Sequence, residues 1–320
     1  MKLILAPMEG LVDAHMRNLL TRDGAFDSCV TEFLRISDKL LPNKAFHRIC
    51  PEALLNDWKT PSGTPVHLQL LGSHPELMAQ NARRGALLGA PVIDVNFGCP
   101  SKTVNLNRGG SVLLQDPEDI YQILLAMRQD MPAHVPLTAK MRLGYEDKAL
   151  AIENAQAIEA AGASELCIHA RTKVEGYKPP AHWQWIAKIK QHVKLPVVAN
   201  GEIWSLEDYE ECRQLSECDN IMLGRGAVAN PQLASLIKHK NHSTLQAPHD
   251  WLARLEDLLW MISSTMEAGN VKYAADRIKQ WLAYLKIMYP QAETLFLEVK
   301  RFKKSEDMIL KLKDEIASAS

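Results

Sequence analysis

Eight short apolar runs recur along the first 240 residues, and amphipathic segments separate most of them. The runs lie at 2–6, 27–33, 65–71, 91–97, 136–142, 165–170, 196–201 and 220–224. Their length and bounding turn residues predict strands. Helical patterns fill 75–89, 117–130, 149–161 and 205–216. Asp116 offers an N-cap with Pro117 at the first helical position, and Ala161-Gly162-Ala163 offers a glycine stop. This alternation predicts an α/β fold, a (β/α)8 TIM barrel. A doubly wound open sheet is the rival. No G-x-G-x-x-G follows the first run, which counts against it.

The pattern changes near residue 240. His239-Lys240-Asn241-His242-Ser243-Thr244 is a polar break, and only helical periodicity follows from Trp251. Leu255, Leu258, Leu259 and Ile262 share one face, and further helices are expected at 271–288, 290–303 and 305–317. The expected division is a barrel over 1–240 and a small helical bundle over 241–320.

Composition narrows the function classes. Acidic residues number 38 and basic residues 37, so any nucleic-acid site must be a local patch. The six cysteines form no CxxC pair and show no zinc-ligand spacing, so no metal and no disulfide framework are expected. Reduced thiols fit a cytoplasmic protein. No apolar run approaches the length of a membrane span, and the first apolar stretch is too short for a signal-peptide core. Nothing points to an obligate protein partner.

Chemistry concentrates at the predicted strand ends, where barrel enzymes place it. The run Asp94-Val-Asn96-Phe-Gly-Cys99-Pro-Ser-Lys102 reads as a strand ending in a tight loop. Cys99 there is either a small core residue or a positioned thiol. Asn96 and Lys102 bracket it. The polar, glycine-ended segment that follows, 103–110, reads as a lid. Other strand ends carry Pro7-Met8-Glu9, Gln69, Lys140 and Arg142, His169 and Arg171, Asn200-Gly201-Glu202, and Gly224-Arg225. Polar groups on buried strands are costly unless they meet something polar. The glycine loops at Gly201 and Gly224 either serve turns or cradle a phosphate, with Arg225 as its cation. A phosphate there with Gln69 and Lys140 beyond it suits flavin mononucleotide, FMN. Gln69 can bond the pyrimidine edge of the ring, and Lys140 can stabilise the charge that reduction creates.

These motifs, in this order, resemble the tRNA-dihydrouridine synthases: Ala6-Pro7-Met8, Gln69-Leu-Leu-Gly72, Asn96-x-Gly-Cys99-Pro-Ser, Lys140-x-Arg142, His169-x-Arg171-Thr172, Asn200-Gly201-Glu202 and Gly224-Arg225-Gly226. The resemblance covers essentially the whole chain. Arg277-Ile-Lys279-Gln-Trp281 and Thr31-Glu-Phe-Leu-Arg35 look closest to the bacterial C-type branch, which acts on position 16 of the tRNA D-loop. The resemblance implies that NADPH reduces FMN, that hydride reaches C6 of a uracil, and that Cys99 gives a proton to C5. It implies a cofactor set of Pro7, Met8, Glu9, Gln69, Lys140, His169, Asn200, Gly201, Glu202, Gly224 and Arg225. The RNA contacts expected beside it are Arg35, Asn96, Tyr177, Arg277 and Lys279. Residues 272–304 carry eight basic residues against three acidic ones, the local patch that RNA requires or else a solvated helical face. Tyr273, Trp281 and Tyr284 interleave with them and could stack on bases. Two rivals stay open: a barrel flavoenzyme reducing a free pyrimidine, and an RNA-binding protein on an inactive barrel.

Overall fold

The computed structural model describes residues 1–239 and 251–319. The polar break after His239 and the expected division at 240/241 therefore lie outside the described residues, His239 apart.

All eight expected strands form. They are β1 (Leu3–Leu5), β2 (Ser28–Val30), β4 (Val66–Leu71), β5 (Ile93–Phe97), β6 (Leu137–Arg142), β7 (Glu165–His169), β8 (Val197–Asn200) and β9 (Asn220–Leu223). A two-residue strand, β3 (Leu34–Arg35), adds to β4 and extends the second expected run. Every neighbouring pair is parallel. β1 pairs with both β2 and β9, and β2 pairs with β4, so the sheet closes on itself as a TIM barrel.

Helices follow the sequence signals closely. α1 spans Ala14–Thr21, and α2 (Asn43–Ile49) and α3 (Glu52–Leu55) form in a stretch with no helical expectation. α4 spans Pro75–Leu87, and a short α5 spans Lys102–Leu106. α6 occupies Pro117–Asp130, with the Asp116 side chain accepting from the Glu118 N–H at 3.0 Å. α7 (Ala151–Ala160) stops before Gly162, whose φ of +91° is the left-handed conformation that glycine adopts without strain. α8 (Trp183–Lys190), α9 (Leu206–Ser216), α10 (Arg225–Ala229) and α11 (Leu233–His239) complete the barrel's outer layer.

Strand alternation sorts the side chains. Leu68, Leu70, Ile93, Val95, Leu137, Ala139, Leu166 and Ile168 belong to the large core between strands and helices. Inside the barrel the apolar cluster is small: Ile4, Ala6, Val30, Cys167, Val198 and Met222. β4, β5 and β6 send polar residues to that interior, and strand register sets them level. Gln69 lies beside Asp94, Asp94 beside Thr138, and Asn96 beside Lys140.

The tail forms α12 (Trp251–Glu267), α13 (Val271–Leu285), α14 (Pro290–Val299) and α15 (Ser305–Ala319). Leu255, Leu258 and Ile262 are buried as the periodicity requires. The bundle docks on the barrel through specific contacts. Trp281 is buried and donates from Nε1 to the Val228 carbonyl on α10 at 3.0 Å. Arg277 donates to the Gly10 and Leu11 carbonyls at 2.8 and 2.9 Å and pairs with Asp13 at 3.0 Å. Arg22 on α1 meets Asp257 on α12 at 2.6 Å.

Trp281 thus supplies both packing and a hydrogen bond at the junction. Trp281→Ala is expected to lower the unfolding free energy by about 3–5 kcal/mol in urea titration. Trp281→Phe, which keeps most of the ring and loses the bond to Val228, should cost roughly 1 kcal/mol.

Candidate active site

The C-terminal ends of the strands open into one cleft of about 540 Å³. Pro7, Met8, Glu9, Gln69, Lys140, His169, Asn200, Gly201, Glu202, Gly224 and Arg225 all line it, as do Cys99, Asn96 and Tyr177. Parallel strands bring these residues, which span more than 200 positions of chain, to one face. Phe33, Arg142, Trp204, Gln280 and Tyr284 also line the cleft. Gln280 and Tyr284 lie on α13, so the helical tail forms part of the wall. Trp204 carried no local signal. The place of Gln280 depends on docking that only the folded chain shows.

A chain of hydrogen bonds crosses the floor. The Thr138 hydroxyl donates to Asp94 Oδ1 at 2.6 Å, and Gln69 Nε2 donates to Asp94 Oδ2 at 2.7 Å. Asn96 Nδ2 donates to Gln69 Oε1 at 2.8 Å, and the Gly98 N–H donates to Asn96 Oδ1 at 2.8 Å. Burial lifts the Asp94 carboxyl to about 6, with the bonds from Thr138 and Gln69 opposing the rise. Lys140 is held by Asn200 Oδ1 at 2.9 Å, while Asn200 Nδ2 donates to the Met222 carbonyl. Burial lowers the pKa of Lys140.

The turn carrying Cys99 is strapped on both sides. Arg142 Nε donates to the Gly98 carbonyl at 2.8 Å. Asn105 Nδ2 and Ser111 Oγ both donate to the Cys99 carbonyl at 2.9 Å. Residues 103–110 were expected to form a lid. They form instead the end of α5 and the start of a 3₁₀ turn (Gly110–Gln115) pinned against Cys99. Asn105 turns inward and bonds backbone, while Thr103, Asn107 and Arg108 stay exposed on the outer side of the helix and turn. Gly110, at φ +66°, fits there because a Cβ would lie 2.8 Å from the Cys99 carbonyl oxygen. Burial pushes the Cys99 thiol up from its ordinary value. Nearby Glu9 pushes it the same way, and Arg142 and Arg35 oppose.

Positive charge crowds the other half of the mouth. His169 sits among Arg142, Lys140, Arg171 and Arg225, and burial together with those charges keeps its pKa well below the usual range. Arg171 is fully buried and bonds the Glu202 carboxylate, which also accepts from Trp204 Nε1 at 3.1 Å. Arg171 Nη1 is buried without a protein partner. Arg225 lies 3.7 Å from Glu202 and over the Tyr177 and Trp204 rings, 4.7 and 5.2 Å from their centres. Tyr177 also covers Arg142 at 5.1 Å and is half exposed at the rim.

Three residues expected at an RNA contact lie outside the cleft lining. Arg35, at the end of β3, is half-buried close enough to Cys99 to act on its thiol electrostatically. Arg277 and Lys279 are turned inward, with side chains only 15% and 18% exposed. Besides its contacts with the barrel, Arg277 bonds Gln280, and Lys279 donates to the Phe302 carbonyl at 3.0 Å and pairs with Asp276 at 2.6 Å. Their charge holds the bundle together and against the barrel. The exposed cations among the described residues of this tail are Lys272, Lys286, Lys300, Arg301, Lys303, Lys304 and Lys313, with Tyr273 exposed beside Lys272. Of the interleaved aromatics, Trp281 is core.

Comparison with known proteins agrees with this geometry. The family model for dihydrouridine synthase (Dus) matches residues 4–317. A tRNA-dihydrouridine(16) synthase of Shewanella oneidensis is 50% identical over 309 residues, covering 97% of this chain and 96% of the relative. One from Aquipseudomonas alcaligenes is 50% identical over 304 residues, covering 94% and 95%. Among solved structures, a histamine dehydrogenase from Rhizobium sp. 4-9 superposes with a TM-score of 0.55 at 14% identity, over 75% of this chain and 46% of that one. A 2-naphthoyl-CoA reductase gives 0.58 at 13% identity, over 75% and 50%. Those two likenesses show the shared barrel. With the family model spanning nearly the whole chain and full-length relatives half identical to it, the chain belongs to the dihydrouridine synthase family.

Proposed function

We propose that this chain reduces a uridine of tRNA, at position 16 of the D-loop, to 5,6-dihydrouridine, with bound FMN, NADPH as reductant and Cys99 as the acid. The observation that carries this is a protonated thiol strapped beside Asn96 and Gln69 in a cleft rich in buried positive charge. Relatives half identical over their full length bear the name tRNA-dihydrouridine(16) synthase, which supports the RNA substrate and its position.

The residues present fit FMN. Lys140, Arg142 and Arg225 line the cleft with the Glu9 and Glu202 carboxylates, Glu202 is already engaged by Arg171 behind it, and Arg171 Nη1 still lacks a protein partner. An anionic group answers that surplus. Gly224 leaves the wall low: a Cβ there would meet nothing closer than 3.8 Å. Gly201, at φ +116°, has no such room, since a Cβ would lie 2.8 Å from the His169 ring. We assign Gly201, Glu202, Gly224 and Arg225 to the phosphate end through backbone N–H groups and the guanidinium edge. The Glu202 carboxylate itself is occupied by Arg171. Gln69 and Lys140 take the ring end, with Pro7, Met8, Glu9, His169 and Asn200 completing the walls. When bound, FMN accepts hydride from NADPH and supplies hydride to C6 of the uracil.

The chain's own groups do the rest. Asn96 holds the uracil edge with the amide hydrogen left after its bond to Gln69. Cys99 Sγ–H gives its proton to C5. A thiolate could not, and burial keeps the sulfur protonated at neutral pH. The target base must leave its stack to enter the cleft. Tyr177 at the rim, and Gln280 and Tyr284 on α13, line its entry. The RNA lies across the tail, where Lys272, Lys300, Arg301, Lys303 and Lys304 meet phosphates, Arg35 borders the mouth, and Arg277 and Lys279 set the bundle's angle. We take 1–240 as the catalytic unit and 241–320 as the RNA-orienting unit. No helix among the described residues is long and apolar enough to cross a membrane. We infer a cytoplasmic location, which the proposed tRNA substrate and the six free thiols support.

The decisive experiment is Cys99→Ala. The purified protein should carry the flavin absorption band in both forms and be reduced by NADPH in both. Dihydrouridine formation in tRNA, and not in free uracil, should fall by about 10²–10⁴-fold in the variant. Equal rates would show that the thiol only packs.

The raised thiol also fixes the sign of the pH dependence. A pKa above the ordinary value of about 8.5 extends the acid form upward in pH. Uridine reduction in single turnover should stay level through about pH 8.5 and fall above it. A decline centred at or below that value would contradict the assignment.

Reversing charge at Arg301 and Lys303 together should weaken tRNA binding and lower its salt slope by about one unit per lost phosphate contact, with unchanged melting temperature. Arg277→Ala should instead lower the melting temperature, because it removes bonds to Gly10, Leu11 and Asp13.

A further inference from the structure

Asp94 has no place in the reaction just described, yet it is buried under the middle of the cleft. Register on three adjacent strands sets Gln69, Asp94 and Thr138 in one row across β4, β5 and β6. A carboxylate has no hydrogen to give, so both of its neighbours must donate to it. Gln69 therefore turns its NH2 to Asp94 and its oxygen the other way, where Asn96 Nδ2 donates to it. That leaves the Asn96 oxygen for the Gly98 N–H. A backbone N–H can only donate, so the far end of the chain demands the same polarity independently. The two ends agree, and neither amide can invert without breaking a bond at one of them.

We propose that Asp94 is a positioning residue: through Gln69 and Asn96 it sets the direction of the hydrogen bonds that run from Thr138 across the cleft floor to the turn that carries Cys99. Gly98 is the meeting point. Its N–H is held by this chain and its carbonyl by Arg142. The free N–H of Gln69 and that of Asn96 consequently face the cleft in one orientation, a fixed pattern of donors for the rings that bind there. The meaning of that pattern rests on the proposed flavin and uracil. The chain itself does not.

The test is a double-mutant cycle read by alkylation of Cys99 with iodoacetamide in the native holoprotein. Cys99 is half-buried and the other five cysteines are buried, so the label reports on one thiol. Asp94→Leu removes the acceptor that orients Gln69, and Asn96→Leu removes both the link to Gln69 and the acceptor of the Gly98 N–H. Each single variant should raise the rate about tenfold. Because Asp94 acts through Asn96, the double variant should stay near that same tenfold rise. Packing alone would give effects that multiply, and a double variant within about twofold of the product, or an Asp94→Leu rate within about twofold of wild type, overturns the proposal. If the double variant does not melt cooperatively, the side-chain amide signals of Gln69 in ¹⁵N-labelled Asp94→Asn decide. The two amide protons, separated in frequency by the carboxylate, should draw together, and an unchanged pair overturns the proposal. Neither readout uses RNA or turnover. A protein that reduces tRNA but gives a multiplicative cycle sinks this inference alone. One that ignores tRNA but gives the tenfold rise sinks only the proposed substrate.

Discussion

Lys140, Arg142, Arg171 and Arg225 gather around His169 at one end of a closed barrel, with Glu202 as the carboxylate that touches two of them. Charge removed from water is tolerated only where polar partners replace the water. The surrounding structure supplies those partners one by one. Arg142 spreads its donors over the carbonyls of Gly98, Thr172 and Gly176. Lys140 leans on Asn200, and Asn200 is itself fixed by the Met222 carbonyl. Arg225 lies over the Tyr177 and Trp204 rings and within 3.7 Å of the Glu202 carboxylate. His169 responds by staying neutral. Much of the loop architecture at this face follows from these requirements. The 172–177 segment curls so that its carbonyls reach Arg142, and Tyr177 at its end closes over two guanidinium groups.

The same economy favours the protonated thiol that the proposed acid role of Cys99 requires. Cationic neighbours would ordinarily pull a cysteine toward thiolate. Here Arg142 is nearest but has its donors committed to carbonyls, and its own charge is disfavoured by burial. Glu9 pushes the other way, and desolvation dominates. Strapping of the Cys99 carbonyl by Asn105 and Ser111 keeps that environment in place, because the turn cannot open toward water without breaking two bonds.

Most of the barrel was legible because its signals are local. Eight apolar runs and caps such as Asp116-Pro117 state their conformation within a few residues. The cleft was legible for a related reason: once the strands are placed parallel, their C-terminal ends must converge, so Gln69, Cys99, Lys140 and Asn200 could be gathered without knowing any contact. What failed needed knowledge of a distant partner. Arg277 and Lys279 look like surface charge in a basic window, since nothing nearby announces that the carbonyls of Gly10, Leu11 and Phe302 come within reach. Asn105 looks like part of a solvated loop until the Cys99 carbonyl is seen within its reach. Gln280 enters the cleft wall only because Trp281 fixes α13 against α10.

That docking also bears on how a barrel with a small mouth can select one nucleotide in a large RNA. In the proposed reaction the cleft walls recognise a base, and many uridines carry the same base. Selection must therefore come from a surface held at a set angle to the mouth. α13 meets both demands, lining the cleft with Gln280 and Tyr284 while Lys272 and Tyr273 stand exposed at its other end. A helix of 15 residues spans about 22 Å, a distance over which a phosphate contact at one end and a base at the other can be measured against each other. Its angle is set by Arg277 on the loop after β1 and Trp281 on α10, two points of the barrel that also shape the cleft. Moving the bundle would therefore move the wall, so the register of the RNA and the geometry of the site are held by the same few contacts.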